Sequence, residues 1–133
     1  MNLNKIGQLG EDITVKFLIE KGFKVSGRNY LKKQGEIDII AIKAGIHHFI
    51  EVKAVSREII NNKPIKGDFV EPEENMHMNK IRRLRNSIEI YLQSNNVPRE
   101  TFIFDLCVVY VDERRKKACV KFLEDLALEV VRF

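Results

Sequence analysis

The amino-acid sequence predicts an α/β fold in which a mixed β-sheet is flanked by helices. Apolar residues recur at helical spacing in two segments, one near the start of the chain and one after its midpoint. The segments between and after them are short, apolar and bounded by turn residues, as β-strands are. The expected order of elements is therefore αβββαβ followed by one more strand. A chain of 133 residues fits a single domain over 1–133.

The first half of the chain predicts one helix and three strands. The helix is expected over residues 4–21, because an apolar stripe repeats at helical spacing and Gly22 supplies a C-terminal stop. The stripe consists of Ile6, Leu9, Ile13 and Phe17. The first strand is predicted at 23–30, and two further strands follow at 36–43 and 47–54.

The second half begins with a predicted long loop, residues 56–75, which contains two prolines and a glycine. A second helix is expected over residues 76–95, and its inner face would carry Ile81, Leu84, Ile88 and Tyr91. The fourth strand, residues 101–111, is apolar on both faces, which places it in the interior of the sheet. Residues 116–123 predict a fifth strand.

Composition favours a cytoplasmic protein. Hydrophobic residues make up 44% of the chain and charged residues 32%, which is typical of a soluble globular domain. No apolar run approaches the roughly 18 residues of a membrane span, and the first residues lack the apolar core of a signal peptide. Cys107 and Cys119 fit a reducing compartment. The net charge of +4 is a mild indication of a nucleic-acid partner.

Two predicted strands carry charged residues where buried strands usually hold Val or Ile, namely Asp38, Glu51 and Lys53. Side chains alternate along a strand, so Glu51 and Lys53 share one face, about 6–7 Å apart. A two-residue loop at Ala44 and Gly45 would place Asp38 opposite Glu51, whereas a four-residue loop would place it opposite Lys53. Both registers keep all three side chains on one face, because only an odd shift changes the face.

The acidic pair has two interpretations, a solvated surface pair without a function or a metal-binding pair. Two carboxylates about 5 Å apart repel by about 3 kcal/mol at an effective dielectric near 20, but by less than about 1 kcal/mol in water. An exposed pair would therefore be solvated, with Lys53 in an ordinary cross-strand ion pair. The strand neighbours are apolar, however: Ile40, Ile42 and Phe49. A partly buried acidic pair favours a divalent cation, and hard carboxylate oxygens suit Mg²⁺ or Mn²⁺.

The three charged residues have a characteristic spacing: twelve residues separate Asp38 from Glu51, and one residue separates Glu51 from Lys53. This pattern resembles the D-(spacer)-E-x-K signature of the PD-(D/E)XK nucleases. That superfamily has a restriction-endonuclease-like core, a mixed sheet in αβββαβ order. The resemblance implies a metal-dependent hydrolase whose carboxylates hold one or two metal ions against the scissile phosphate. It also implies that the lysine orients or deprotonates the attacking water, or stabilises developing charge.

A closer resemblance covers residues 7–125. The segments "LGEDITVKFLIEKGFKVSGRNY", "GEIDIIA", "FIEVKA", "NKIRRLRNSIEIYL" and "FIFDLCVVYV" are similar, in order and spacing, to the YraN-like bacterial family, which is assigned to the same fold. The chain also resembles the archaeal Holliday-junction resolvases. The resemblance implies Asp38, Glu51 and Lys53 as the metal and catalytic set, with Glu11 as an additional acidic residue. It further implies DNA, including branched or junction DNA, as substrate, and a possible homodimer.

Two more acidic residues have alternative interpretations. Glu11 could lean over the sheet and complete a metal shell, or it could be a helix-start carboxylate favoured by the macrodipole. Glu36 shares the face of Asp38 and is either an extra ligand or an exposed edge charge, and we favour the edge charge.

A basic run on the second helix comprises Lys80, Arg82, Arg83 and Arg85. Such a run is usually a solvated outer face, but the absence of a neighbouring carboxylate before Glu89 slightly favours contacts to DNA phosphates. Asp105, in the fourth strand, needs a buried partner and is assigned a structural role. His47, His48 and His77 show no zinc-ligand spacing.

Three functions remain open from the sequence. The first is a Mg²⁺- or Mn²⁺-dependent DNA endonuclease. The second is a nucleic-acid-binding module that keeps the fold but hydrolyses nothing, and the third is a protein-interaction scaffold. Metal-dependent cleavage separates the first from the second, and DNA affinity at low salt separates both from the third.

Overall fold

The structure is a computed structural model that describes residues 3–31, 36–75, 78–98 and 101–128. Helices and strands follow the predicted order. Their bounds are α1 Leu3–Glu20, β1 Lys24–Tyr30, β2 Ile37–Lys43, β3 Ile46–Ser56, β4 Ile59–Ile60, β5 Lys63–Pro64, a 3₁₀ turn Pro72–Asn75, α2 Met78–Ser94, β6 Ile103–Asp112 and β7 Lys117–Leu123. Met76 and His77, the first residues of the predicted second helix, lie outside the described residues.

The sheet is mixed, as predicted. Within the described part of the chain it has five strands in the order β1-β2-β3-β6-β7. Strands β3 and β6 are parallel, and their neighbours pair antiparallel. The crossover between β3 and β6 contains the 57–75 segment and α2. This α/β arrangement, with α1 and α2 flanking the sheet, confirms the predicted fold class and is consistent with a restriction-endonuclease-like core.

The two faces of the sheet are covered by different helices. One core cluster joins Leu18 of α1 to Ile39 and Ile50, and the other joins Leu84 of α2 to Ile40 and Phe49. Alternation along the strands therefore assigns Asp38, Glu51 and Lys53 to the α2 side of the sheet. Neither helix, within the residues described, is long and apolar enough to span a membrane.

The β2–β3 hairpin turns on two residues in the left-handed region. Ala44 has φ 51° and Gly45 has φ 76°, the combination that tight hairpins require. The ladder runs from Lys43 opposite Ile46 to Ile39 opposite Ile50. Of the two predicted registers, the two-residue loop is therefore the one that forms, although Ala is an unfavourable residue at positive φ.

The contact ridge of α1 differs from the predicted stripe. Its most buried positions are Ile6, Gly10, Thr14 and Leu18, whereas Leu9, Ile13 and Phe17 are partly buried beside them. The pattern of apolar residues missed this ridge because two of its members are not apolar. Gly10 allows close backbone approach, and the Thr14 hydroxyl is satisfied by donating to the Gly10 carbonyl at 2.8 Å.

Replacing Gly10 by Ala is expected to destabilise the protein by about 1–3 kcal/mol. A Cβ atom at this position would lie 2.6 Å from the Cβ of Ala54, so α1 would have to move away from β3. Gly7→Ala is the matched control, because a Cβ there meets nothing within 4 Å and the change raises helix propensity. Urea unfolding of both variants measures the difference. Equal midpoints would contradict the close packing of α1 on β3.

The predicted 56–75 loop is more ordered than its composition suggested. Strand β3 extends to Ser56, and the segment then forms the short β4–β5 hairpin and the 3₁₀ turn. Arg57 and Glu71 form an ion pair at 3.0 Å, and the Tyr110 hydroxyl donates to Glu71 at 2.9 Å. Lys121 pairs with Glu73. The segment is thus fixed to β6 and β7 shortly before α2 begins.

Candidate metal site

The site begins where the β2–β3 ladder ends. Asp38 is the residue next to the last paired position, Ile39 opposite Ile50. Its Oδ2 atom accepts a hydrogen bond from the backbone N–H of Val52 at 2.8 Å. The carboxylate thus takes the place of a backbone acceptor and is held against β3 beside Glu51.

Asp38 and Glu51 form a buried acidic pair. Asp38 is 8% exposed and Glu51 is 2% exposed. Burial raises the pKa of Asp38 well above its usual range, and a side-chain hydrogen bond to Glu51 and the charge of Glu51 raise it further. The surroundings of the pair therefore disfavour the ionised form of Asp38.

Glu11 and Glu36 converge on Asp38 from two other parts of the chain. One carboxylate oxygen of each of these three residues lies within 4.8 Å of the others. Glu36 is partly buried, so the favoured sequence interpretation of Glu36 as an exposed edge charge is wrong. Glu11 lies two turns inside α1, too far from the N-terminus for a macrodipole role. Burial raises its pKa, against the lowering effect of Arg28.

Two lysines lie on the α2 side of the pair. The Lys80 Nζ atom lies 3.0 Å from Oε2 of Glu51. Lys53 is partly buried; burial and the charge of Lys80 lower its pKa, and the charges of Glu51 and Asp38 oppose this shift. The ammonium of Lys53 thus belongs to the same charge cluster as the two carboxylates.

The predicted basic run does not form a single surface. Lys80 lies against Glu51, and its contact to DNA phosphates stays a prediction. Arg82, Arg83 and Arg85 are exposed on α2. The sequence did contain a signal for this difference. Lys80 stands four residues before Leu84, a buried residue of α2, and residues four apart lie on the same side of a helix.

The carboxylates fit a divalent cation. Among the described residues, no side chain or backbone group forms a hydrogen bond with the buried Oε2 atom of Glu51, because the Lys80 contact lacks hydrogen-bond geometry. An unsatisfied buried carboxylate oxygen is costly unless a cation coordinates it. The available donors are all hard carboxylate oxygens, the ligand type that Mg²⁺ and Mn²⁺ prefer.

Asp105 has the structural role that the sequence assigned to it. Its Oδ2 atom lies 2.7 Å from Nδ1 of His48, and its Oδ1 atom accepts the backbone N–H of Asp125 at 3.0 Å. This arrangement links β3, β6 and the segment that follows β7. It contains none of the four acidic residues of the candidate metal site.

Together the fold and the site define an α/β protein with a buried cluster of acidic residues beside two lysines. The model of "Uncharacterised protein family UPF0102" matches residues 10–111, and the chain belongs to this family, which confirms the YraN-like assignment. A UPF0102 protein of Dictyoglomus turgidum is 38% identical over 114 residues, covering 86% of this chain and 89% of the relative.

Two further relatives cover similar shares of both chains. A UPF0102 protein of a Sulfurovum species is 37% identical over 123 residues, with 92% of this chain and 93% of the relative covered. A UPF0102 protein of Clostridium perfringens is 33% identical over 120 residues, with 90% and 91% covered. The similarity therefore extends over almost the whole fold, including the segments that build the site.

Proposed function

We propose that this protein is a Mg²⁺- or Mn²⁺-dependent DNA endonuclease of the PD-(D/E)XK superfamily, acting in the cytoplasm on branched or junction DNA. The observation that carries the proposal is the buried pair of Asp38 and Glu51, which lies beside Lys53 on adjacent strands. A stable core would place apolar side chains at these positions. Two adjacent buried carboxylates are costly, and coordination of a divalent cation is the chemistry that offsets this cost.

Each residue of the site has a distinct role in this mechanism. Asp38 and Glu51 would hold the metal, and Glu11 and Glu36, whose carboxylate oxygens lie within 4.8 Å of one of Asp38, would add oxygen ligands from α1 and from the start of β2. A bound Mg²⁺ or Mn²⁺ ion supplies Lewis-acid polarisation of the phosphate and a water of lowered pKa. Lys53 orients the attacking water and stabilises negative charge on the phosphate oxygens.

The DNA backbone is expected to contact the exposed arginines of α2. Arg82, Arg83 and Arg85 lie on the same helix as Lys80, which reaches the acidic pair. Arginine binds phosphate in a bidentate manner, and binding of this kind weakens as the salt concentration rises. Two copies of the chain, as in the resolvases, would present two such sites to a symmetric junction.

Lys53→Ala is expected to lower the rate of Mn²⁺-dependent cleavage by about 10²–10⁴-fold. The test incubates the purified wild-type protein with single-stranded, duplex, flapped and four-way DNA in the presence of Mn²⁺. Chelation of the metal should stop cleavage. Lys24→Ala is the matched control, because Lys24 is an exposed lysine at the start of β1.

The cleavage assay, together with a measurement of DNA binding at low and high salt, distinguishes the alternative functions. Equal product from wild-type and Lys53→Ala proteins would identify a contaminating nuclease and count against the mechanism. Salt-sensitive DNA binding without cleavage of any substrate would instead support a non-catalytic nucleic-acid-binding module, for which the exposed arginines of α2 are the supporting observation. Absence of DNA binding at low salt would support an interaction scaffold.

A further inference from the structure

We propose that Lys80 is an internal counter-ion that occupies the cation position beside Glu51 in the metal-free protein and leaves it when a divalent ion binds. This inference rests on the proposed metal site and adds a residue that competes with the metal. The Lys80 Nζ atom lies 3.0 Å from Oε2 of Glu51. A cation coordinated by that oxygen would meet the ammonium group at the same place.

The two partners differ strongly in burial. The Glu51 side chain is 2% exposed and the Lys80 side chain is 41% exposed. A buried carboxylate without a cation is costly, so a positive charge beside Glu51 stabilises the folded protein. A partly exposed ammonium regains its hydration when it moves outward on a flexible stem. The pair can therefore separate by movement of Lys80 alone.

The contact also leaves Glu51 incompletely satisfied. Oε2 of Glu51 is near a positive charge but, within the described part of the chain, accepts no hydrogen bond. Lys80 thus compensates the charge of this oxygen without satisfying its lone pairs. A hard divalent cation would do both. The geometry favours an exchange of one cation for the other over a permanent ion pair.

A second ammonium at the site favours the same exchange. Lys53 shares the Glu51 face of β3, and two ammonium groups at one site repel each other. Lys53 is fixed in the middle of β3, whereas Lys80 is the third residue of α2. The Lys80 ammonium stands on a flexible four-carbon stem, so its departure from Glu51 does not require the helix to move.

Competition of this kind lowers the apparent affinity for metal. The divalent ion binds the fraction of molecules in which Glu51 is free of Lys80, so a substitution that removes the ammonium should increase affinity. The substitution also removes a positive charge close to the bound ion. Both effects have the same sign, and they predict tighter metal binding by a variant that is less stable without metal.

Lys80→Met tests this inference, because methionine keeps an unbranched apolar stem and removes the charge. Titration calorimetry with Mn²⁺ alone should show a Kd about 3- to 10-fold lower than that of the wild type. Without metal, the Tm should fall by about 3–6 °C. Saturating Mn²⁺ should then raise the Tm of the variant more than that of the wild type. Arg83→Met is the matched control, since Arg83 is an exposed cation on the same helix.

The outcomes separate the inference from the proposed function. If the wild type and Lys80→Met bind Mn²⁺ with the same Kd, the counter-ion role is overturned and the metal site remains supported. Absence of Mn²⁺ binding by both proteins would overturn the site and the counter-ion together. Equal tightening by Arg83→Met would show a general charge effect and also overturn the inference. Lys80→Gln, which keeps a polar side chain of similar length, replaces Lys80→Met if the latter does not fold.

Discussion

The Asp38→Asn protein is expected to lose Mn²⁺-dependent cleavage by about 10³-fold or more and yet to unfold less readily than the wild type without metal. Asparagine removes an anionic ligand, so the metal site loses charge and a hard donor. Its amide oxygen still accepts the Val52 N–H that Asp38 accepts at 2.8 Å. The backbone of β3 therefore keeps its partner, and the change acts on charge alone.

The stability gain follows from the electrostatics of the pair. Unit charges about 5 Å apart repel by about 3 kcal/mol at an effective dielectric near 20, so neutralising one of two adjacent buried carboxylates should add about 1–3 kcal/mol. Burial and Glu51 raise the pKa of Asp38. A carboxyl group whose pKa is higher in the folded state than in the unfolded state stabilises the protein most at pH values below its unfolded pKa, near 4. Its contribution to the free energy of unfolding is lost as the pH rises above that value. The gain should be small near pH 4 and largest at neutral and higher pH.

Urea unfolding at several pH values in the presence of a chelator, together with the cleavage assay, measures both effects. Asp68→Asn is the matched control, because Asp68 is an exposed carboxylate in the loop before α2. A stability difference that does not change with pH would contradict the buried acidic pair. Full activity of Asp38→Asn would contradict its role as a metal ligand.

Asp105→Ala is expected to destabilise the protein by about 3–5 kcal/mol, the largest stability effect that the structure predicts. Asp105 is 0% exposed, and its carboxylate accepts the backbone N–H of Asp125 and pairs with His48 at 2.7 Å. Alanine removes the acceptor of the Asp125 N–H and leaves the buried His48 side chain without this partner. Because these contacts connect β3 to β6 and to the segment after β7, their loss affects the centre of the sheet.

Asp105→Asn serves as the graded comparison. Its amide oxygen can still accept from Asp125, so the loss of stability should be smaller than that of Asp105→Ala. Guanidinium unfolding of both variants measures the difference, and titration with Mn²⁺ should give an unchanged Kd for the folded fraction. A loss below about 1 kcal/mol for Asp105→Ala would contradict a buried structural pair.

The sequence predicted the sheet better than the helix that packs on it. Alternation was sufficient to place Asp38, Glu51 and Lys53 on one face of the sheet, because it acts within one hairpin. The register itself stayed open between a two-residue and a four-residue loop, and the structure decided it. The inner face of α1 was less predictable. The closest contact there depends on Gly10, which lacks a side chain, so apolar periodicity could not show it.

The candidate site was predictable only where its members are close in the chain. Asp38, Glu51 and Lys53 come from one hairpin, and their spacing was informative. The position of Glu36 beside Glu11 depends on where α1 lies against the sheet, which no local pattern specifies. Lys80 reaches Glu51 across a long crossover. Its spacing from Leu84 indicates the inner side of the helix, but its partner depends on where α2 lies over the sheet.

The difference between hairpin and crossover also sets an order of events during folding. A hairpin with a two-residue turn closes in about 1–10 μs, whereas the crossover between β3 and β6 forms later because more chain must be ordered first. The two carboxylates therefore meet early, in water, where they repel weakly. Their repulsion becomes large only when α2 covers them and delivers Lys80. A substitution that changes the charge of Asp38 or Glu51 should consequently change the unfolding rate much more than the folding rate.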